Sequence, residues 1–183
     1  MAKNIKVAGV GMIPFTKPGA SDDYQVMGEK ASRLAIEDAG LSYSDIGQVY
    51  VGYVYGDSTS GQAAVYGLGL SGVPIINVNN NCATGSSALY LARQAVEAGM
   101  TDCALALGFE QMNPGALGAT FSDRPSPLKR MFKERKTLQG VDKKAPDAAQ
   151  YFGGAGQEYI EEYGTKPETF AKISEKARIH AAK

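Results

Sequence analysis

Through its first two-thirds the chain alternates strand-like apolar runs with helical stripes, and this alternation restricts the possible folds more than any other feature. Ile5-Lys-Val-Ala-Gly-Val-Gly11, Val49-Tyr-Val-Gly-Tyr-Val54, Pro74-Ile-Ile-Asn-Val-Asn79 and Cys103-Ala-Leu-Ala-Leu-Gly108 have the length and composition of buried strands. Ahead of the second run, Ser21-Asp-Asp23 can cap a helix reaching Ala39. Met27, Ala31, Leu34, Ala35 and Asp38 form its stripe, and Gly40 stops it. Residues 61–70 are a shorter candidate. Residues 84–98 put Ala88, Leu91, Ala92 and Ala95 on one side, with Gly99 beyond. Apolar strands separated by helices imply an α/β fold, its mostly parallel sheet covered by helices on both faces.

The character changes after Glu110. Between Arg124 and Lys144, eight lysines and arginines face only Glu134 and Asp142, with prolines close by, which reads as an irregular, exposed excursion. Thr165-Lys-Pro-Glu168 has capping-box spacing and opens a helix carrying Phe170, Ile173 and Ala177. That helix reaches Lys183 without a stop signal, as expected of a cut through a larger protein. The organisation expected is an α/β core over residues 1–112, followed by a second region over 113–183.

Composition narrows the function. Lys+Arg and Asp+Glu both number 19, so no net field draws the chain to nucleic acid or an acidic membrane. No apolar run approaches the roughly 20 residues of a membrane span, and the first residues lack a signal-peptide core. The two cysteines, Cys82 and Cys103, form no CxxC, and the single histidine is His180. A disulfide framework or zinc site is not expected, and two free thiols point to the cytoplasm.

Chemistry concentrates in Pro74-Ile-Ile-Asn-Val-Asn-Asn-Asn-Cys-Ala-Thr-Gly-Ser-Ser87. Cys82 falls between a strand and the first turn of a helix, where unpaired amides and the helix dipole favour a thiolate. The same amides can receive the oxyanion formed when a carbonyl is attacked. Ala83, Gly85, Ser86 and Ser87 leave room for an acyl group, which suggests nucleophilic acyl transfer. From position alone, a small packed cysteine is as good a reading.

The block Ile75-Ile-Asn-Val-Asn-Asn-Asn-Cys-Ala-Thr-Gly-Ser86 resembles the nucleophile loop of thiolases of the sterol carrier protein X type. Val51-Gly-Tyr-Val-Tyr-Gly-Asp-Ser58, Leu105-Ala-Leu-Gly-Phe-Glu-Gln-Met112, Phe121-Ser-Asp-Arg124, Tyr163-Gly-Thr-Lys166 and Phe170-Ala-Lys-Ile173 resemble later segments of that family, in order. The resemblance implies the N-terminal half of a thiolase fold and an acyl-enzyme on Cys82. It also implies coenzyme A and acyl-CoA as substrates with no bound cofactor, and a homodimer, with a second chain possible to complete the site. In the family an activating histidine, a second cysteine and a further histidine come from later in the chain, and no matching motif occurs here. Two rivals follow: a non-catalytic or partner-dependent acyl-CoA-binding subunit, and a ketoacyl synthase-like condensing enzyme, which the wider motifs fit less well.

Other signals are weaker. Gly9-Val-Gly11 begins like a dinucleotide fingerprint, but Pro14 stands in the third glycine's place, and close packing explains the pair better. Gly56-Asp-Ser-Thr-Ser-Gly61 spaces glycines like a phosphate loop, but Gln62 replaces the lysine. Lys129, Arg130, Lys133, Arg135 and Lys136 could steer coenzyme A phosphates, although a solvated loop is the stronger reading. Met131 and Phe132 could pack on adenine or anchor that loop. Cys103 reads as a structural thiol and His180 as a surface or packing residue.

Overall fold

The computed structural model describes residues 4–114 and 121–182. By internal contacts the chain forms two compact units, Met1–Thr120 and Phe121–Lys183.

In the first unit three parallel strands, β1 (Gln48–Gly52), β2 (Ile75–Val78) and β3 (Ala104–Gly108), form a sheet in the order β2-β1-β3. Helices α1 (Tyr24–Asp38), α2 (Ser60–Val65) and α3 (Thr84–Glu97) cover it. The period-2 alternation of strand side chains divides the core. Val49, Val51, Leu105 and Leu107 face α1 and α2 together with Ile46, Tyr53, Ala64 and Val65. Tyr50, Ala104 and Ala106 face α3, which presents Ala88, Leu91, Ala92 and Ala95, the stripe its sequence predicts. Small residues on that stripe let the helix lie close to the strands, and full burial of Val49 and Val51 stabilises the sheet by about 1.5–3 kcal/mol each.

Several elements depart from their sequence signals. Ile5–Gly11 joins no strand ladder. A Cβ on Gly9 or Gly11 would collide with the backbone of α1 at Ala35 and Ala31, so the segment presses onto that helix. The Val10 amide donates to Asp38 Oδ2 at 2.8 Å, a bond that takes the place of a ladder partner. Helix α1 buries Gly28 and Ser32 where the predicted stripe has Leu34, which is exposed. The reason is α2: a Cβ on Gly28 would stand 2.9 Å from Ala64 Cβ, so this close crossing fixes the rotation of α1. Helix α2 stops at Val65 and passes into a 3₁₀ turn over Tyr66–Leu68.

The second unit contains α4 (Lys129–Gln139), α5 (Asp147–Tyr163) and α6 (Pro167–Ala181). The basic excursion is therefore largely helical. Its anchor is Arg135, 8% exposed, which donates to Gln150 Oε1 (2.7 Å), Gly140 O (3.3 Å) and Asp147 Oδ1 (3.3 Å). Gly164 ends α5 in the left-handed region at φ +64°. Lys166, not Thr165, stands at the N-cap of α6, and Pro167 opens the helix without a side-chain cap. Lys183, where the sequence carries that helix to its end, lies outside the described residues.

Candidate functional site

Strand β2 ends at Val78 and α3 begins at Thr84, so five residues turn the chain around Cys82. Asn81 makes the turn possible: it adopts φ +50°, a left-handed conformation that asparagine tolerates better than most side chains. The Asn79 side-chain oxygen accepts the Asn81 amide at 3.2 Å. Asn80 accepts the Ala83 amide on its carbonyl at 3.1 Å and donates from Nδ2 to Ser87 Oγ at 2.9 Å. The Thr84 hydroxyl accepts the Asn80 amide at 3.0 Å and donates to the Asn81 carbonyl. The three asparagines thus use their local hydrogen-bonding capacity to shape the loop. Sequence reasoning assigned them no role.

Cys82 emerges from this turn exposed. Ala83 occupies the N-cap of α3 and offers no side-chain oxygen. Among the described residues, the Gly85 and Ser86 amides in the first helical turn have no hydrogen-bond acceptor. An apolar cap usually costs a helix about 1 kcal/mol. Here it leaves amide donors and the positive end of the dipole open in the turn that follows Cys82, where they can receive an anion or a developing oxyanion.

Glycines seat the helix. A Cβ on Gly52, at the end of β1, would stand 2.6 Å from the Thr84 carbonyl oxygen and 2.7 Å from Thr84 Cγ2. A Cβ on Gly108, at the end of β3, would stand 3.2 Å from Gly85 Cα. The first turn of α3 therefore rests on the carboxyl ends of two strands, with no room for a side chain at Gly52 and little at Gly108.

The segment after β3 braces the same end of the sheet. Phe109 stacks between Tyr24 and Tyr53, each with its ring centroid 5.1 Å away. Both carboxylate oxygens of Glu110 accept amides, Val54 at 2.9 Å and Tyr55 at 2.8 Å. Gln111 accepts the Tyr24 amide at 3.0 Å, serving α1 where Asp23 makes no cap bond. These roles link residues distant in sequence, and no local motif announces them.

Within the first unit the remaining candidates take packing roles. Cys103 precedes β3 and packs against the first core cluster. Burial, and then the charge of Asp45, raises its thiol above the ordinary range. Gly56 and Gly61 form a tightly packed turn: a Cβ on Gly61 would stand 2.9 Å from Val51 Cβ, and the Gly61 amide donates to Asn77 Oδ1. In the second unit, Lys129, Arg130, Lys133 and Lys136 are exposed, whereas Arg135 is buried and committed to Gln150 and Asp147. Arg135 is therefore not a phosphate ligand. Phe132 tilts against Tyr151 at 5.5 Å and anchors its helix, while Met131 is exposed. His180 lies exposed on α6. No helix among the described residues is long and apolar enough to cross a membrane.

Residues 5–174 match the thiolase N-terminal domain. Sterol carrier protein 2 of Gallus gallus is 51% identical over 183 residues, covering 99% of this chain and 33% of that protein. The benzoylsuccinyl-CoA thiolase subunit BbsB of Thauera aromatica is 29% identical, over 99% of this chain and 44% of that one. The chain thus spans about a third to under half the length of these relatives. The solved Ltp2-ChsH2(DUF35) aldolase shares the fold with a TM-score of 0.58 at 20% identity, covering 87% of this chain and 38% of that one.

Proposed function

The chain belongs to the thiolase family, and on that premise we propose that it is the N-terminal portion of an acyl-CoA thiolase with Cys82 as the acyl-accepting nucleophile. The observation that carries this reading is the exposed Cys82 in the turn before α3, a helix whose first-turn Gly85 and Ser86 amides have no acceptor among the described residues.

In the first half-reaction Cys82 Sγ adds to the keto carbon of a 3-ketoacyl-CoA. The bond between that carbon and the neighbouring CH₂ then breaks, and acetyl-CoA leaves after taking up a proton. In the second half the thiol of free coenzyme A attacks the thioester carbon, the Sγ–C bond breaks, and the shortened acyl-CoA leaves. Amide donors beside Cys82 support charge on the carbonyl oxygen in both halves. Coenzyme A is then a substrate rather than a resident cofactor. The reading includes a homodimer in the cytoplasm, with the general base supplied by the remainder of the protein or by a second chain.

One fact favours a second reading, a partner-dependent subunit that binds acyl-CoA without turning it over. The unit carrying Cys82 contains no histidine to take the thiol proton, since the sole histidine is His180. Incubation with acetoacetyl-CoA and free coenzyme A, with chromatography of the products, separates the two. Net formation of acetyl-CoA supports the thiolase, and binding without product supports the subunit.

A further inference from the structure

A single hydroxyl closes the nucleophile loop. Thr84 is 4% exposed and opens α3. Its Oγ1 accepts the Asn80 amide at 3.0 Å and donates to the Asn81 carbonyl, so it engages both residues that immediately precede Cys82. The Thr84 amide also donates to the Asn81 carbonyl, at 3.1 Å. Cys82 is therefore carried on a short arch whose two feet are tied to one side chain. The methyl of that side chain lies against Gly52.

We propose that Thr84 is a positioning residue: its hydroxyl fixes Cys82 against the open amides of the first turn of α3. This rests on the reading of Cys82 as an acyl acceptor. The left-handed Asn81 persists only where its surroundings hold it. Without the hydroxyl, the Asn80 amide loses its acceptor and the arch can relax. Attack on a carbonyl then suffers, because the sulfur and the oxyanion donors must act on one carbon–oxygen pair together. Simple alkylation of an exposed thiol makes no such demand.

The test uses the full chain and two probes. With p-nitrophenyl acetate the Sγ–acetyl bond forms, the ester C–O bond breaks, p-nitrophenolate leaves with the electron pair, and the thiol proton passes to water. With iodoacetamide, carbon–iodine displacement needs no oxyanion donor. Thr84→Val, which keeps the shape and the methyl contact, should slow Cys82 acetylation at least about tenfold and leave its alkylation within about twofold. Cys103 alkylation should stay at the wild-type rate, and Thr84→Ser should restore acetylation. Wild-type acetylation in Thr84→Val would overturn the proposal. So would a serine variant as slow as the valine one, since the methyl would then be what matters. Faster Cys103 alkylation in Thr84→Val would assign the loss to the fold, and a wild-type Cys82 inert to the ester would leave Thr84 no positioned thiol to hold. Acetylation by the ester but not by acetyl-CoA would count against the proposed function while leaving the Thr84 role standing.

Discussion

Gly85 in the first turn of α3 lies so close to Gly108 at the end of β3 that a Cβ on Gly108 would stand 3.2 Å from Gly85 Cα. At Gly52 the approach is tighter, 2.6 Å to the Thr84 carbonyl oxygen, a backbone atom that no rotamer change can move aside. Gly52→Ala should therefore destabilise the chain by about 1–3 kcal/mol despite alanine's better strand propensity, and Gly108→Ala by less. Urea denaturation measures both. A Gly52→Ala chain as stable as wild type would mean that α3 is not seated on the strand ends.

Glu110 holds two successive amides with one carboxylate. Glu110→Ala removes the acceptor for Val54 and Tyr55 and should cost about 1–3 kcal/mol. Glu110→Gln should fall between, since it keeps one oxygen and turns an NH₂ toward the other amide. The order wild type, glutamine, alanine in denaturation midpoints is the expected outcome.

Cys103 gives a pH dependence of defined sign. Burial first, and the Asp45 charge second, raises its thiol in the folded state, so folded protein holds that proton more tightly than unfolded protein does. Its contribution to stability is fully present below the ordinary thiol range and is lost as pH rises through the elevated folded value. Cys103→Ala should flatten the alkaline decline in stability relative to wild type. Asp45→Asn should move the Cys103 alkylation profile to lower pH.

The second unit separates structural from surface charge. Arg135→Ala removes a buried fork bound to Gln150, Gly140 and Asp147 and should cost about 2–3 kcal/mol. Replacing Lys129, Lys133 and Lys136 together by glutamine should shift stability by no more than about 0.5 kcal/mol. If coenzyme A phosphates meet this helix, the triple variant binds coenzyme A more weakly, and its binding depends less on salt. Calorimetry at two ionic strengths checks both effects.

What the sequence disclosed follows the range of the forces involved. Strands β1 to β3 and the inner stripe of α3 rest on local periodicity and were legible. Ile5–Gly11 carries the same strand signal, but its glycines press it onto α1, and Asp38 on that helix takes the Val10 amide. Helix α4 escaped notice because Lys129 and Arg130 crowd its first turn against the dipole, no side chain caps it, and Arg135 alone is buried. Cys82 was visible because a strand, a turn and a small-residue helix meet there in sequence. Thr84 was not, since its role depends on where one hydroxyl points. Glu110 and Gln111 act on partners far away in the chain, beyond the reach of any local pattern.

Intact-protein mass spectrometry after exposure to acetoacetyl-CoA or acetyl-CoA, with Cys82→Ala alongside, reads directly whether Cys82 accepts an acyl group. One acyl adduct per wild-type chain and none on the variant is the expected result. An adduct that survives in Cys82→Ala would refute the assignment, and a folded wild-type chain that stays unmodified would place activation of the thiol in the remainder of the protein or in a second chain.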